Sequence, residues 1–227
     1  MRRLMRNCST TLVQTVSSKL LQSRCSNKTS GVTPISLSTT ISTTTNIRKG
    51  PNLAPGGSYL EIARCLNFWQ QSGLKNFSLQ LEYNGGITRS YPINNAWLFG
   101  VDYFIHSKDY KNTLNLKALY KTIRKKTSDV PMQLTAVWAM NDLFGIKGLK
   151  FNGFADFWWE DHTCFKSNGE AADRSTIFIT EPQVWYNVGQ HIGVDNLSLG
   201  TEIELSNNFG STYGFKCRPC LGVKWDF

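Results

Sequence analysis

The chain has 227 residues, 41% of them apolar and 18% charged, and a formal charge of +9. Residues 1–50 hold eight Lys/Arg and no Asp or Glu, whereas residues 51–227 hold 17 basic and 16 acidic residues, so the body is nearly neutral and lacks the basic stripe of a nucleic-acid-binding domain. Six cysteines without repeated spacing make no disulfide framework, and the lack of an apolar run of about 18 residues excludes a spanning helix, though not a membrane barrel, whose strands need only about 9 to 11 residues with every second one apolar.

The opening "MRRLMRNCSTTLVQTVSSKLLQSRC" has the charges of a secretory signal without its apolar core of about 7 to 15 residues. Being Arg- and Ser-rich and free of acids, it reads as a mitochondrial presequence or as an unstructured tail. A third reading is a frame shift. Back-translated with allowed codons and read two bases later, "GVTPISLSTTISTTTNI" at 31–47 yields "RHTYFFVDYDFYYNEH", an aromatic, alternating strand. The expectation is an atypical segment over 1–48, disordered or frame-shifted, ahead of a β-barrel domain over 49–227.

From about residue 57 one alternation keeps returning. "SYLEIARCLNFW" suits a strand or a short helix and is taken as a strand because of its neighbours. "NFSLQLEYN" sets Phe77, Leu79, Leu81 and Tyr83 against Ser78, Gln80, Glu82 and Asn84. "AWLFGVDYFIH", "LNLKALYKTIRKK", "MQLTAVWAM", "FNGFADFWWED" and "STIFITEPQVWYNVG" follow. "NLSLGTEIELS" then sets Leu197, Leu199, Thr201, Ile203 and Leu205 against Ser198, Gly200, Glu202, Glu204 and Ser206. Turn-like breaks are predicted at "NGG" (84–86), "SKDYKN" (107–112), "TSDVP" (127–131), "KSNGEAAD" (166–173) and "NNFGSTYG" (207–214). The sum is an antiparallel meander of about nine strands.

The last stretch, "GFKCRPCLGVKWDF", puts Phe215, Cys217, Pro219, Leu221, Val223, Trp225 and Phe227 on one face and Lys216, Arg218, Cys220, Gly222, Lys224 and Asp226 on the other. Its two cysteines therefore point oppositely. A zinc site needs about four ligands, and no second C-x-x-C or paired-histidine motif exists, so no metal is expected. A serine, histidine and orienting polar residue facing one way is not set up by the alternation either. The chain is read as a non-enzyme without cofactor.

A soluble barrel points its apolar faces inward and carries long charges outside. Here the polar faces are modest, rich in Asn, Ser, Gln, Gly and single acids. The apolar faces are aromatic toward strand ends, as at Trp97, Tyr103, Trp138, Trp159, Tyr186 and Trp225. That distribution fits an outward apolar band between aromatic girdles around a polar lumen. The alternative is a soluble or periplasmic β-barrel binding an apolar ligand in its interior.

A final strand ending in an aromatic residue resembles the signal by which the outer-membrane assembly machinery recognises its clients, here Val223, Trp225 and Phe227. More specifically, "YLEIAR", "EYNGG", "INNAWLFG", "FADFWWEDHT", "TEPQVWYN", "GTEIELSNNFG" and "GVKWDF" together resemble the Tsx-like nucleoside-channel superfamily, in its outer-membrane branch, the domain of unknown function 5020. The resemblance implies an all-β outer-membrane β-barrel of about twelve strands in a Gram-negative bacterium, monomeric and surrounded by outer-membrane lipid, passing a small polar solute such as a nucleoside. Bacterial single-chain barrels use even strand counts, so about nine strands imply that the first ones are missing from the front. The departures from the family are Cys217, Cys220 and the first fifty residues.

On the lumen face the alternation places Glu82, Asn84, Asp156, Glu160, Glu181, Gln183, Asn187, Glu202 and Glu204, with Lys216, Arg218 and Lys224 on the closing strand beside the acidic "EIE" strand. Carboxylates and amides there would hydrogen-bond a sugar or base, and Trp158 and Trp185 would offer stacking faces. The structural alternative is that facing acids and bases neutralise one another, with Glu202, Glu204, Arg218 and Lys216 as the expected network. His162, in "EDHT", reads as a surface histidine before a polar loop.

Overall fold

The computed structural model describes residues 11–12, 36–44, 57–69, 71–88 and 92–225. They form one antiparallel sheet of β1 (Thr11–Leu12), β2 (Ser36–Thr44), β3 (Gly57–Leu66), β4 (Phe77–Thr88), β5 (Pro92–His106), β6 (Asn112–Ile123), β7 (Met132–Asn141), β8 (Leu149–Phe165), β9 (Ala171–Thr180), β10 (Gln183–Tyr186), β11 (Leu197–Asn207) and β12 (Phe215–Trp225). Helical structure among these residues is limited to three short 3-10 turns. The reading of 1–48 as a disordered or frame-shifted segment falls outside the described residues, apart from the backbones of β1 and β2.

Each strand pairs with the next, as in a meander. The one departure is instructive. β9 and β10 are two halves of a single pass between β8 and β11, interrupted at Glu181 and Pro182. The sequence had suggested one uninterrupted run there. Proline has no N–H to give the ladder, yet the ladder bridges the gap, because Glu181 N–H donates to Phe154 O at 3.1 Å and Ile203 N–H donates to Pro182 O at 3.1 Å. Gly153 makes room on β8, since a Cβ there would lie 2.5 Å from Glu181 O. Counted as passes, β3 to β12 cross nine times, in line with the alternation.

A second difference concerns "NGG". It is not a turn: β4 runs through Asn84, Gly85 and Gly86 to Thr88, with a bulge between Asn84 and Gly86. A Cβ on Gly85 would sit 2.4 Å from Asn95 Oδ1, so the glycine is used for close approach of a β5 side chain. "SYLEIARCL" is strand, as β3.

The register sorts the side chains onto two faces. One carries Leu81, Trp97, Phe99, Tyr120 and Leu134, each 45 to 54% exposed. The other carries Gln80, Glu82, Asp102, Gln133, Ser198 and Ser206, each at most 5% exposed. The sheet is thus curled around its polar face, the inverse of a soluble protein. β1 at one end of the strand order lies close to β12 at the other.

Candidate solute path on the polar face

Cross-strand pairing aligns the inner residues. Cys65, Gln80 and Gly100 follow one another across β3, β4 and β5, and Ser78, Asp102, Lys117, Thr135, Asp156 and Ile179 across β4 to β9. Over β4 to β7, β8 as far as Trp159, and β10 to β12, every charged strand residue lies on this face: Glu82, Asp102, Lys117, Lys121, Lys150, Asp156, Glu202, Glu204, Lys216, Arg218 and Lys224. The outer positions of the same stretch, among the described residues, hold none.

Two polar clusters result. In the first, Gln80 donates to Glu82 at 2.6 Å and Asn84 donates to the same carboxylate at 3.2 Å. Lys121 donates to Gln133 Oε1 at 2.6 Å and lies 4.0 Å from the centre of the Trp158 ring. Thr135 donates to Asp156 at 2.5 Å, and the Trp158 indole N–H donates to Glu160 at 3.0 Å. Glu160 also pairs with Lys126 at 3.3 Å. Trp158 is itself buried.

In the second cluster the Trp185 indole N–H donates to Gln183 Oε1 at 2.9 Å, and Gln183 in turn donates to Glu202 at 2.7 Å. Trp185 lies across two glycines. A Cβ on Gly200 would meet its ring at 2.5 Å and one on Gly222 at 2.9 Å, so the indole fills the space that two side chains would otherwise take. Glu204 is ion-paired with Arg218 and accepts a hydrogen bond from Ser206 at 2.9 Å. Lys216 stands opposite Ser206. Glu181 continues the inward side of β9 toward Gln183.

Of the residues read as lumen-facing, Glu82, Asn84, Asp156, Trp158 and Glu160 thus fall in the first cluster and Gln183, Trp185, Glu202, Glu204 and Arg218 in the second. Asn187 does neither: it follows β10, donates to Asp195 O at 2.5 Å and accepts from Gln190 N–H at 3.1 Å, so it shapes a connecting loop. Val223 and Trp225 are on the outer face, and Phe227 lies outside the described residues. Cys217 faces out and Cys220 in, opposite Glu202.

Sequence reading missed the inward Lys117, Lys121 and Lys150, and Asp102. Stepping by two through "NLKALYKTI" does align Asn115, Lys117, Leu119, Lys121 and Ile123, but β6 carries Leu, Ala and Tyr on one face and leucine on the other, which blurs the contrast. It also missed an apolar portion of the inner face. Ala96, Leu98 and Leu119 form one buried cluster and Trp158, Ile177 and Ile179 another, with Ile123 packed against both.

The outer face has its own order. Tyr83 packs on Trp97 at 4.9 Å, with Tyr120 and Trp159 at the same strand ends. Phe77 packs on Tyr103 at 4.6 Å and Trp138 on Phe151 at 5.8 Å, with Tyr186 and Trp225 at the opposite ends. Between lie Leu79, Leu81, Phe99, Val101, Leu134, Phe157, Ile203 and Leu221. An 11-residue strand such as β12 is about 37 Å long, and about 26 Å tall when tilted by about 45°.

The family model described as Domain of unknown function (DUF5020) matches residues 52–227. No curated protein and no solved structure matches the chain.

Proposed function

The chain belongs to the DUF5020 family, and we propose that it is an outer-membrane β-barrel forming a passive path for small polar solutes, nucleosides being the class to try first. The single observation that carries the reading is the inverted sorting of side chains: charges and amides on the buried face, large apolar residues on the exposed one. An apolar patch of this extent on a soluble chain would drive association. In hydrocarbon it is the solvated surface, flanked by interfacial aromatics. The nearness of β1 to β12 supports closure, which hydrocarbon requires because unpaired strand edges there cost several kcal/mol per group.

Arg64 is a charged residue on the outer face, opposite Leu81. It lies two residues from the end of β3, where a long side chain reaches the headgroup layer. The soluble-barrel reading requires the opposite sorting. Within the proposal, solutes meet the two polar clusters, Trp158 and Trp185 supply flat faces, and the amides and carboxylates exchange hydrogen bonds with hydroxyls and base edges.

The test is to express the full chain, fractionate the cells, and measure uptake of a labelled nucleoside into liposomes carrying the purified protein. A folded, heat-modifiable product in the outer-membrane fraction with saturable or diffusive uptake is the expected result. A folded product that stays in the soluble fraction without detergent overturns it.

A further inference from the structure

We propose that the Lys121 ammonium is a resident occupant of a solute site on the face of Trp158, and that a planar, uncharged ring with a hydrogen-bond donor on its edge enters by displacing it. The inference rests on the channel reading above and adds to it the solute class and the residue that selects it. Trp158 faces inward from β8, yet it is only 7% exposed. Ile177 and Ile179 share its cluster, and Phe154, Ile123 and Phe209 pack against it, Phe209 edge-on to the indole at 6.2 Å. The Lys121 ammonium lies over the ring, 4.0 Å from its centre. A solute therefore meets the indole only when one of these groups moves away. The isoleucines are stiff and packed, and the phenylalanines would leave apolar neighbours for a polar lumen. Lys121 has a flexible stem and a strongly hydrated end.

What holds the ammonium in place is neutral. Lys121 donates to Gln133 Oε1 at 2.6 Å, Gln133 donates to Thr135 Oγ1 at 2.9 Å, and Thr135 donates to Asp156 at 2.5 Å. All the bonds run in one direction, which fixes the Gln133 amide with its oxygen toward the space that the ammonium fills. When the ammonium leaves, a flat π face and an acceptor without a donor are uncovered together. A ring of matching chemistry serves both, stacking on the indole and giving an N–H to Gln133. A ring without an edge donor leaves that acceptor unsatisfied and is disfavoured.

The displaced ammonium has places to go. Its charged neighbours are Asp156, Glu160, Glu82 and Glu61. Asp156 is engaged by Thr135, Glu160 by Trp158 and Lys126, and Glu82 by Gln80 and Asn84. A carboxylate offers about four lone-pair sites, so each of the three can take an ammonium as well. The same carboxylates repel an anion once Lys121 has turned away. Adenosine, with its ring amine, meets both demands of the site, and its monophosphate fails on charge.

The test uses the full chain in detergent and in liposomes, with adenosine, purine riboside, which lacks the ring amine, and adenosine monophosphate as probes. Equilibrium dialysis should show Lys121→Ala binding adenosine at least about fivefold more tightly than wild type, with purine riboside gaining less and the monophosphate nothing. Adding Trp158→Leu to Lys121→Ala should cancel the gain, whereas a lumen that had only widened would keep it. An adenosine affinity left unchanged by Lys121→Ala, or a gain that survives Trp158→Leu, overturns the site. Heat-modifiable migration reports the folding of each variant, and one measurement needs wild type alone. Acetylation of Lys121, read by peptide mass spectrometry against the exposed Lys108, should speed up several-fold with adenosine and stay unchanged with ribose. No response to adenosine overturns the proposal even where the variants do not fold. Liposome flux separates the site from the channel. Adenosine flux in every variant with no change in affinity keeps the channel and removes the site. The full pattern of affinities without flux in any variant keeps the site and removes the channel.

Discussion

At the residue scale the two faces of each strand make opposite demands. Leu81 and Leu134 are exposed on the outer face, so Leu81→Arg or Leu134→Arg should destabilise the inserted protein by about 2 to 4 kcal/mol if the position lies near the bilayer centre; reversible denaturant unfolding in lipid vesicles measures it. Ser198, 3% exposed, is on the inner face opposite Lys224. Ser198→Arg should leave insertion intact and cut solute flux several-fold. If the outer-face substitutions are tolerated in vesicles, the assignment of faces to lipid and lumen is wrong. A three-residue step on a strand puts Cys217 and Cys220 on opposite faces.

At the element scale the informative features are breaks in regularity. The glycine pair under Trp185 is one. Gly200→Ala sets a Cβ 2.2 Å from Val184 O and 2.5 Å from the indole, which the backbone of β10 cannot yield to cheaply, so a loss of about 1 to 3 kcal/mol is expected. Gly222→Ala meets only the far edge of the ring at 2.9 Å and should lose less. Thermal unfolding of the two variants in detergent gives the comparison, and equal losses would mean that the indole is not held between them. The β5–β6 and β7–β8 connections offer a pH test. Lys111 and Asp142 pair at 2.7 Å between the β5–β6 and β7–β8 connections. The Lys111 side chain, then the Gly148 N–H, hold the Asp142 carboxyl below its ordinary range, and Asp142 raises the Lys111 ammonium above its own. The tie is therefore fully present above the unfolded carboxylate value of about 3.9 and is lost as pH falls through the lower folded value. At the alkaline end it is fully present below about 10.4 and is lost as pH rises through the raised folded value. Hydrogen exchange at Gly148, whose amide donates to Asp142 at 2.9 Å, should speed up below that acid limit relative to neighbouring amides after correction for intrinsic rates. Asp142→Asn should abolish the transition.

Strand existence was legible because alternation is local. The meander and its nine passes follow from the runs and their separators, and β11 and β12 pair over their full lengths, Leu197 with Trp225 through Asn207 with Phe215, as two adjacent alternating runs should. "NGG" misled because glycine serves both turns and close approach, and only the partner strand distinguishes them: Asn95 occupies the space beside Gly85. The division of β9 from β10 was hidden because its cause, Pro182, still accepts from Ile203 and so leaves the alternation on either side in step.

At the scale of the whole molecule the candidate path was half legible. Glu82, Glu202, Glu204 and Arg218 stand out on polar faces, whereas Asp156 shares its face with Phe154 and Trp158, and Asp102, Lys117 and Lys121 sit on strands apolar on both sides. Period-two patterning, by itself, determined the strands and the gathering of charges on one face of β4, β11 and β12, since side-chain direction along an extended chain alternates whatever surrounds it. What only the tertiary structure decided is the sense of curvature and what fills the concave side. Those depend on contacts among residues far apart in the chain, such as Ile123 and Phe209 with the cluster of Trp158, Ile177 and Ile179, which no local period encodes.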